Sequence, residues 1–269
     1  HAHWLPRDLF GLAPGSPVPP LADRAGQLHL GELPLSIETD AMSDIERVLA
    51  DTDTAGLGAR VLSAPPFAFP VVDHPEVGSF VGAYNQELEK VCRDSGGRLL
   101  GLGLVSLHQP ESARKQIGEL ASSEVLRGIA MPPLLGTTSF DVPPMREILS
   151  AAAELDVAVL VHPMQLPRPE WSSYYLNNLI GNPLESTLAI GHLIFGGVLD
   201  RLRLGLLPGA PLADRPAERQ IAVQRVVGRG LVGHDVRARA ARLHPAEDLG
   251  EHLGGVADQR HRLGLAGLG

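Results

Sequence analysis

Short apolar runs alternate with longer amphipathic stretches from about residue 57 onward. An apolar or β-branched run of four to eight residues predicts a buried strand, and apolar positions recurring every three or four residues predict a helix. The predicted strands lie at 59–63, 98–107, 126–131, 156–162 and 201–207. The predicted helices lie between them, at 75–93, 111–120, 143–155 and 183–199. Repeated strand–helix units of this kind predict a parallel α/β sheet.

Two segments sharpen this prediction. In the helix predicted at 75–93, five large apolar side chains fall on one side: Val77, Phe80, Val81, Tyr84 and Leu88. Residues 157–161 are wholly apolar, as expected for a strand that is buried on both faces of a parallel sheet. Residues 11–40, by contrast, are rich in Pro and Gly and predict a long irregular loop.

The length of 269 residues and the 44% hydrophobic content suit one large domain. A distorted (β/α)8 TIM barrel is the favoured architecture, with a doubly wound sheet as the alternative. The last part of the chain does not show two further strand–helix units with equal clarity. Residues 220–229 and 236–243 have helical spacing, and 263–269 only repeat Leu and Gly.

The composition changes abruptly near residue 201. Residues 1–200 carry 12 Lys and Arg against 24 Asp and Glu, whereas 201–269 carry 11 Arg against 7 acids. Residues 201–269 contain no aromatic residue and no Ser, Thr, Asn, Lys, Met or Cys, which is unusual for part of a packed core. Nucleic acid is not an expected partner, because acids balance the arginines and aromatic stacking platforms are missing.

The chain has no feature of a secreted or membrane protein. Cys92 is the only cysteine, so an internal disulfide is excluded, and no apolar run approaches the roughly 20 residues of a membrane span. We therefore expect a cytoplasmic protein with no membrane partner. The start at His1, not at Met, indicates that the beginning of the barrel has been cut.

The candidate chemistry lies in His1-Ala2-His3-Trp4-Leu5-Pro6 and in Val161-His162-Pro163. Two histidines two positions apart on a strand point to the same side, and active sites of barrels lie where the strands end. Each feature alone has a plainer explanation, as an exposed terminal pair or a hydrogen-bonded core histidine. Together they predict three imidazoles at one barrel mouth, and a catalytic zinc typically takes three protein ligands and keeps one position open.

These motifs resemble the amidohydrolase-related proteins, in which a first strand ends in H-x-H-x-x-P and a fifth in V-H-P. The chain is most similar to the aminocarboxymuconate-semialdehyde decarboxylase group, through Val61–Phe67, Asp156–Pro163 and Tyr174–Glu185 running into Ile194–Asp200. The resemblance covers about residues 1–204. It implies a distorted (β/α)8 barrel with one zinc, held by His1, His3, His162 and a later aspartate. It also implies decarboxylation, or related hydrolysis or hydration, of small anionic acids.

The sequence departs from this family pattern in its last quarter. The resemblance implies a His-Gly-Gly turn after strand six, with the His as general acid/base, and a Gly-Ser/Thr-Asp-x-Pro turn after strand eight, with the Asp as fourth ligand. Neither turn is present. Pro208 stands where the His is expected and has no titratable group, so the catalytic residue is unknown. His234 beside Asp235 is better explained as a solvated pair.

The resemblance also implies how a substrate carboxylate is held. Arg168 lies in the Pro-rich loop after His162, and Tyr174 or Tyr175 lies where the family places an aromatic residue over the substrate. We take Arg168 and Tyr175 as the substrate-binding residues. A solvated arginine and a tyrosine that packs against the lid are the alternatives.

The sequence thus predicts a metal-dependent decarboxylase of a small, aromatic-derived carboxylic acid, with Zn²⁺ as cofactor and impaired turnover. A metal-dependent amide or lactone hydrolase on the same site, or a non-catalytic remnant, is the alternative. A homodimer is the candidate assembly. We assign 1–204 to the barrel and 205–269 to an atypical tail translated out of frame. Arg262 to Ala266 can be encoded as CGG-CTC-GGA-CTG-GCC, which one base later reads Gly-Ser-Asp-Trp-Pro.

Overall fold

The computed structural model describes residues 1–12, 21–164, 171, 176–202, 205–207 and 220–223. All of them belong to one compact unit, His1–Gly228. The strands are β1 (Ala2–His3), β2 (Leu21–Arg24), β3 (Gln27–Leu30), β4 (Leu33–Glu38), β5 (Arg60–Ser63), β6 (Leu99–Gly103), β7 (Leu126–Met131), β8 (Ala158–Val161), β9 (Gly205–Leu207) and β10 (Gln220–Val223). The helices are α1 (Thr39–Ser43), α2 (Ile45–Thr54), α3 (Val77–Asp94), α4 (Pro110–Ala121), α5 (Met145–Glu154), α6 (Asn182–Phe195) and α7 (Val198–Leu202).

The main sheet is parallel and follows the chain through its first five strands. Its order is β1-β5-β6-β7-β8-β10-β9, and all of its pairs are parallel. Helices α3, α4 and α5 each connect one strand to its neighbour, which is the strand–helix repetition of a (β/α) barrel. The predicted α/β architecture is therefore confirmed. Among the described strands, β1 and β9 lie at the two ends of the sheet and do not pair with each other, so the sheet that these strands form is open.

The core lies between the sheet and its helices. Helix α3 buries Val77, Phe80, Val81, Tyr84 and Leu88, which are the five residues that the sequence placed on one side, together with Cys92. Strands β7 and β8 approach closely at Gly128, where an added Cβ would lie 2.4 Å from the carbonyl oxygen of Ala158. A side chain at that position would push the two strands apart.

The prediction of an irregular loop over 11–40 is wrong for 21–38, which form the antiparallel sheet β2-β3-β4. The turn between β2 and β3 places Ala25 and Gly26 at φ of 55° and 84°. Positive φ at both central residues is the conformation that matches the twist of a two-residue hairpin. Leu21 and Leu28 are buried, so this small sheet has an apolar side. The Pro and Gly content concealed the pattern.

The end of the sheet also differs from expectation. Residues predicted as one helix over 183–199 form α6 and then α7, and Arg201 and Leu202 belong to α7 and not to the next strand. The helix predicted at 220–229 is wrong at Gln220–Val223, which form β10. Strand β10 lies between β8 and β9, so sheet order and chain order diverge there. Residues 224–229, 236–243 and 263–269 lie outside the described residues.

Within the part of the chain that the structure describes, none of the helices has both the length and the apolar character needed to span a bilayer.

Candidate metal centre

Three histidines meet where strands β1 and β8 end. His3 is the last residue of β1, His1 precedes that strand, and His162 follows the last residue of β8. One ligating atom from each ring lies within 4.8 Å of the others, and the Nε2 atoms of His3 and His162 are 3.0 Å apart. The structure therefore brings together the three residues that the sequence singled out, and their role as ligands is a proposal taken up below.

The backbone on both sides of the cluster is fixed by sheet hydrogen bonds. The Trp4 N–H donates to the Ser63 carbonyl at 2.8 Å, which extends the β1–β5 pairing beyond His3. The His162 N–H donates to the Met131 carbonyl at 2.9 Å, which extends the β7–β8 pairing. His3 and His162 are thus held at the carboxyl ends of paired strands, the edge at which barrel active sites lie.

Curvature of the sheet makes the contact between His3 and His162 possible. Strands β1 and β8 are four intervals apart, which in a flat sheet is about 19 Å at about 4.8 Å per interval. Two imidazole side chains cannot close that distance to a 3.0 Å contact between Nε2 atoms. The sheet must therefore curl around the cluster, as strands do in a barrel.

The electrostatics of the cluster favour neutral rings. Burial, followed by the charges of the neighbouring His162 and the N-terminal amine, lowers the pKa of His3 to about 4. Burial also lowers the pKa of His162, against the opposing effect of its backbone hydrogen bonds. A neutral imidazole has one nitrogen with a free lone pair, which is the form that binds a metal.

Hydrogen bonding fixes which nitrogen of His162 is available. Its Nδ1 lies 2.7 Å from the carbonyl oxygen of Pro163, and an oxygen of this kind only accepts, so Nδ1 carries the proton. Its Nε2 then presents a lone pair towards His3. Phe69 packs edge-on against the His162 ring, with centroids 6.0 Å apart, and covers it from one side.

The donor set fits a divalent metal. Two nitrogens that each bind one zinc at about 2.1 Å lie about 3.4 Å apart in tetrahedral geometry, close to the 3.0 Å between His3 and His162. His1 is the exposed member, so its ring can rotate to complete the set. Three imidazoles leave at least one coordination position for water or substrate.

The other residues predicted for the site lie outside the part of the chain that the structure describes. Arg168, Tyr174, Tyr175 and Pro208 lie outside the described residues, as do the acids and histidines beyond residue 223. His192 is described: its Nδ1 lies 3.1 Å from Asp141 Oδ1, a polar contact that links α6 to the segment before α5.

Sequence reasoning missed Glu185. Its side chain is 1% exposed, and its Oε2 accepts a hydrogen bond from the Met164 N–H at 2.8 Å, two residues after His162. A signal was present: Glu185 is the only acid between residues 176 and 199, in a stretch that is otherwise largely apolar. An isolated acid on an apolar helix is rarely buried without a partner.

Comparison with known proteins agrees with this architecture. The family model described as Amidohydrolase matches residues 1–207. A 2-amino-3-carboxymuconate-6-semialdehyde decarboxylase of Dictyostelium discoideum is 29% identical over 145 residues, which are 53% of this chain and 40% of that protein. The chain thus spans less than half the length of this curated relative.

Two solved structures share the fold. The apo form of IDCase from Metarhizium anisopliae has a TM-score of 0.66 at 21% identity, over 77% of this chain and 63% of that one. A 5-carboxyvanillate decarboxylase from Novosphingobium aromaticivorans, complexed with manganese and 4-hydroxy-3-methoxy-5-nitrobenzoic acid, has a TM-score of 0.54 at 23% identity, over 60% and 48%. At these identities the likeness extends to the fold alone.

Proposed function

The chain belongs to the amidohydrolase family, and from this premise we propose that it has the site of a metal-dependent decarboxylase acting on a small, aromatic-derived carboxylic acid. The observation that carries the proposal is the cluster of His1, His3 and His162 at the ends of two parallel strands. The substrate class is supported by the similar decarboxylase of Dictyostelium discoideum. The arginine and tyrosine proposed to hold the substrate carboxylate are Arg168 and Tyr175.

Zinc is the proposed metal. Three imidazole nitrogens are a donor set that suits zinc, whereas manganese is more often bound by carboxylate and water oxygens. The manganese in the Novosphingobium aromaticivorans structure makes that ion the natural competitor in a binding experiment. When bound, such a metal polarises a substrate oxygen and lowers the pKa of bound water from 15.7 towards about 7.

The residues of this chain have separate parts in the proposed reaction. Neutral His3 and His162 present their Nε2 atoms to one point, and the proton on His162 Nδ1 is held by the Pro163 carbonyl. Phe69 excludes water from one side of the His162 ring. Loss of CO₂ leaves electron density on the substrate carbon, so a proton must be delivered there, and a positioned acid ordinarily supplies it.

The chain as written is proposed to be slow at this step. Pro208 stands at the position where the family resemblance places the acid, and proline has no proton to deliver. The match to the family model ends at residue 207, immediately before it. Metal binding by the three histidines does not depend on the residue at position 208, so we expect the chain to bind metal even where its turnover is slow.

The test is CO₂ release from a panel of carboxylated aromatic and muconate-type acids, with the purified chain loaded with Zn²⁺ or Mn²⁺. Slow, metal-dependent CO₂ release that is lost in His162→Ala and kept in His74→Ala supports the proposal. His74 is an exposed histidine outside the cluster, so its variant controls for surface metal binding. A parallel panel of lactones and amides decides between reaction classes: hydrolysis without CO₂ release would replace the decarboxylase by a hydrolase. If the purified chain binds no metal at micromolar concentration, the proposed enzyme is rejected in favour of the third alternative, a non-catalytic remnant.

A further inference from the structure

The buried carboxyl group of Glu185 lies close to the histidine cluster. The Pro163–Met164 peptide separates it from the His162 ring. Glu185 is the fourth residue of α6, which continues directly from a π-helical turn at Asn177–Gly181. Its side chain is 1% exposed, and its Oε2 accepts from the N–H of Met164 at 2.8 Å.

The same peptide bond also contacts His162. The nitrogen of Met164 and the carbonyl oxygen of Pro163 belong to one planar peptide group. Glu185 holds that group at its N–H, and His162 donates its Nδ1 proton to its carbonyl oxygen at 2.7 Å. The carboxyl group and the imidazole are therefore joined by two hydrogen bonds through a single rigid unit.

We propose that Glu185 is a positioning residue, which acts through the Pro163–Met164 peptide to keep the Nδ1 proton of His162 in place and its Nε2 free towards the metal. This rests on the proposed metal site. A hydrogen bond to a carboxylate is stronger than one between neutral groups, and hydrogen bonds in a chain polarise one another. The Glu185 carboxylate polarises the N–H of Met164. Because the Pro163 carbonyl belongs to the same peptide group, its oxygen becomes a better acceptor for the Nδ1 proton of His162.

Two consequences follow for the ring. Its orientation is fixed, because the peptide that holds Nδ1 is itself held by α6. Its Nε2 becomes a more basic ligand, because a histidine that donates its other N–H to a strong acceptor binds metal more tightly. The alternative is that Glu185 only fastens α6 to the segment after β8, in which case neither the tautomer of His162 nor the affinity for metal depends on the charge.

The experiment uses Glu185→Gln in the full chain, which keeps the size of the side chain and one accepting oxygen but removes the charge. Glu147→Gln is the matched control, because Glu147 also lies in the first turn of a helix, α5, but is exposed. Two quantities are measured for each protein. They are the dissociation constant for Zn²⁺, from competition with a chelating dye, and the ¹⁵N shifts of the His162 ring in the metal-free state, assigned by their loss in His162→Ala.

The expected result is a dissociation constant at least about 10-fold higher in Glu185→Gln, the lower end for removal of a group that supports a metal ligand, with Glu147→Gln like the wild type. The His162 ring should be in the Nδ1–H form in the wild type and shift towards a mixture of tautomers in Glu185→Gln. Unchanged affinity and an unchanged tautomer would overturn the proposal. If Glu185→Gln does not fold, the wild-type spectrum decides: an Nε2–H ring at His162 refutes the relay.

The ring measurement needs no metal, so the two proposals can fail separately. A wild type that binds no Zn²⁺ but shows the expected tautomer and its dependence on Glu185 would reject the metal-dependent function and keep the positioning role.

Discussion

Removal of the His162 imidazole should abolish the stabilisation of the fold by metal. His162 is the most buried member of the cluster, 5% exposed, and its Nε2 lies 3.0 Å from that of His3. His162→Ala leaves only His1 and His3, and two exposed or half-buried imidazoles on one short strand do not enclose an ion.

The size of the effect follows from the linkage between binding and folding. A ligand that binds only the folded chain, present at 100 times its dissociation constant, stabilises it by about 2.7 kcal/mol. At about 2–4 °C per kcal/mol for a domain of this size, the wild-type Tm should rise by about 5–11 °C on addition of Zn²⁺. The increment in His162→Ala should fall to within about 1–2 °C of zero.

The assay is thermal unfolding with and without metal, for wild type, His162→Ala and His74→Ala. The quantity compared is the increment in Tm caused by metal, because His162→Ala also leaves a cavity beside Phe69 that lowers the Tm of the metal-free chain. Equal increments in wild type and His162→Ala would show that the metal binds elsewhere. No increment in the wild type would refute the site itself.

Four further outcomes are expected. Turnover by the unmodified chain should stay below roughly 1 s⁻¹, the low end for enzymes. Pro208→His alone should not raise the rate, because the aspartate turn implied by the family resemblance is also missing. A faster steady-state rate for either protein would contradict the proposed loss of the catalytic acid. Burial raises the pKa of Cys92 to about 12, so a thiol reagent at pH 8 should label the chain only as fast as it unfolds, and immediate labelling of the native chain would show the thiol accessible. Burial is the main cause that lowers the pKa of His3 to about 4, so as the pH falls below about 6.5 the unfolded state binds a proton before the folded state does. The free energy of unfolding of the metal-free chain should therefore decrease from pH 6.5 down to about 4, by up to about 3 kcal/mol, and the full value should be present above pH 6.5. Denaturant curves of His3→Gln should show a smaller slope, and the remainder is due to His162, whose pKa is also lowered by burial. Finally, the gene should encode Gly-x-Asp-x-Pro one base out of frame near codons 262–266, and a DNA sequence without it rejects the frameshift.

The order of strands and helices from β5 to β8, residues 60–161, follows from local sequence. Residues 126–131 were predicted as a strand and form β7 with the same bounds, because a short apolar run bounded by polar residues and prolines has few other stable structures. The spacing of Val77, Phe80, Val81, Tyr84 and Leu88 fixed the buried side of α3 for the same local reason. Where local signals conflict, as in the Pro- and Gly-rich residues 21–38, the pattern of alternation was hidden and the small antiparallel sheet was missed.

For the candidate site, the sequence determined the residue types and their positions at strand ends. His1 and His3 lie two positions apart and His162 follows the most apolar strand, and these facts needed no structure. Only the tertiary structure decided that the three rings meet, because this depends on the curvature of four strand intervals between β1 and β8. It also decided that Glu185 reaches the peptide after His162, and that β10 lies between β8 and β9. Periodicity reports which face of an element is apolar, whereas these contacts join residues 15 to 159 positions apart, and no local pattern contains that information.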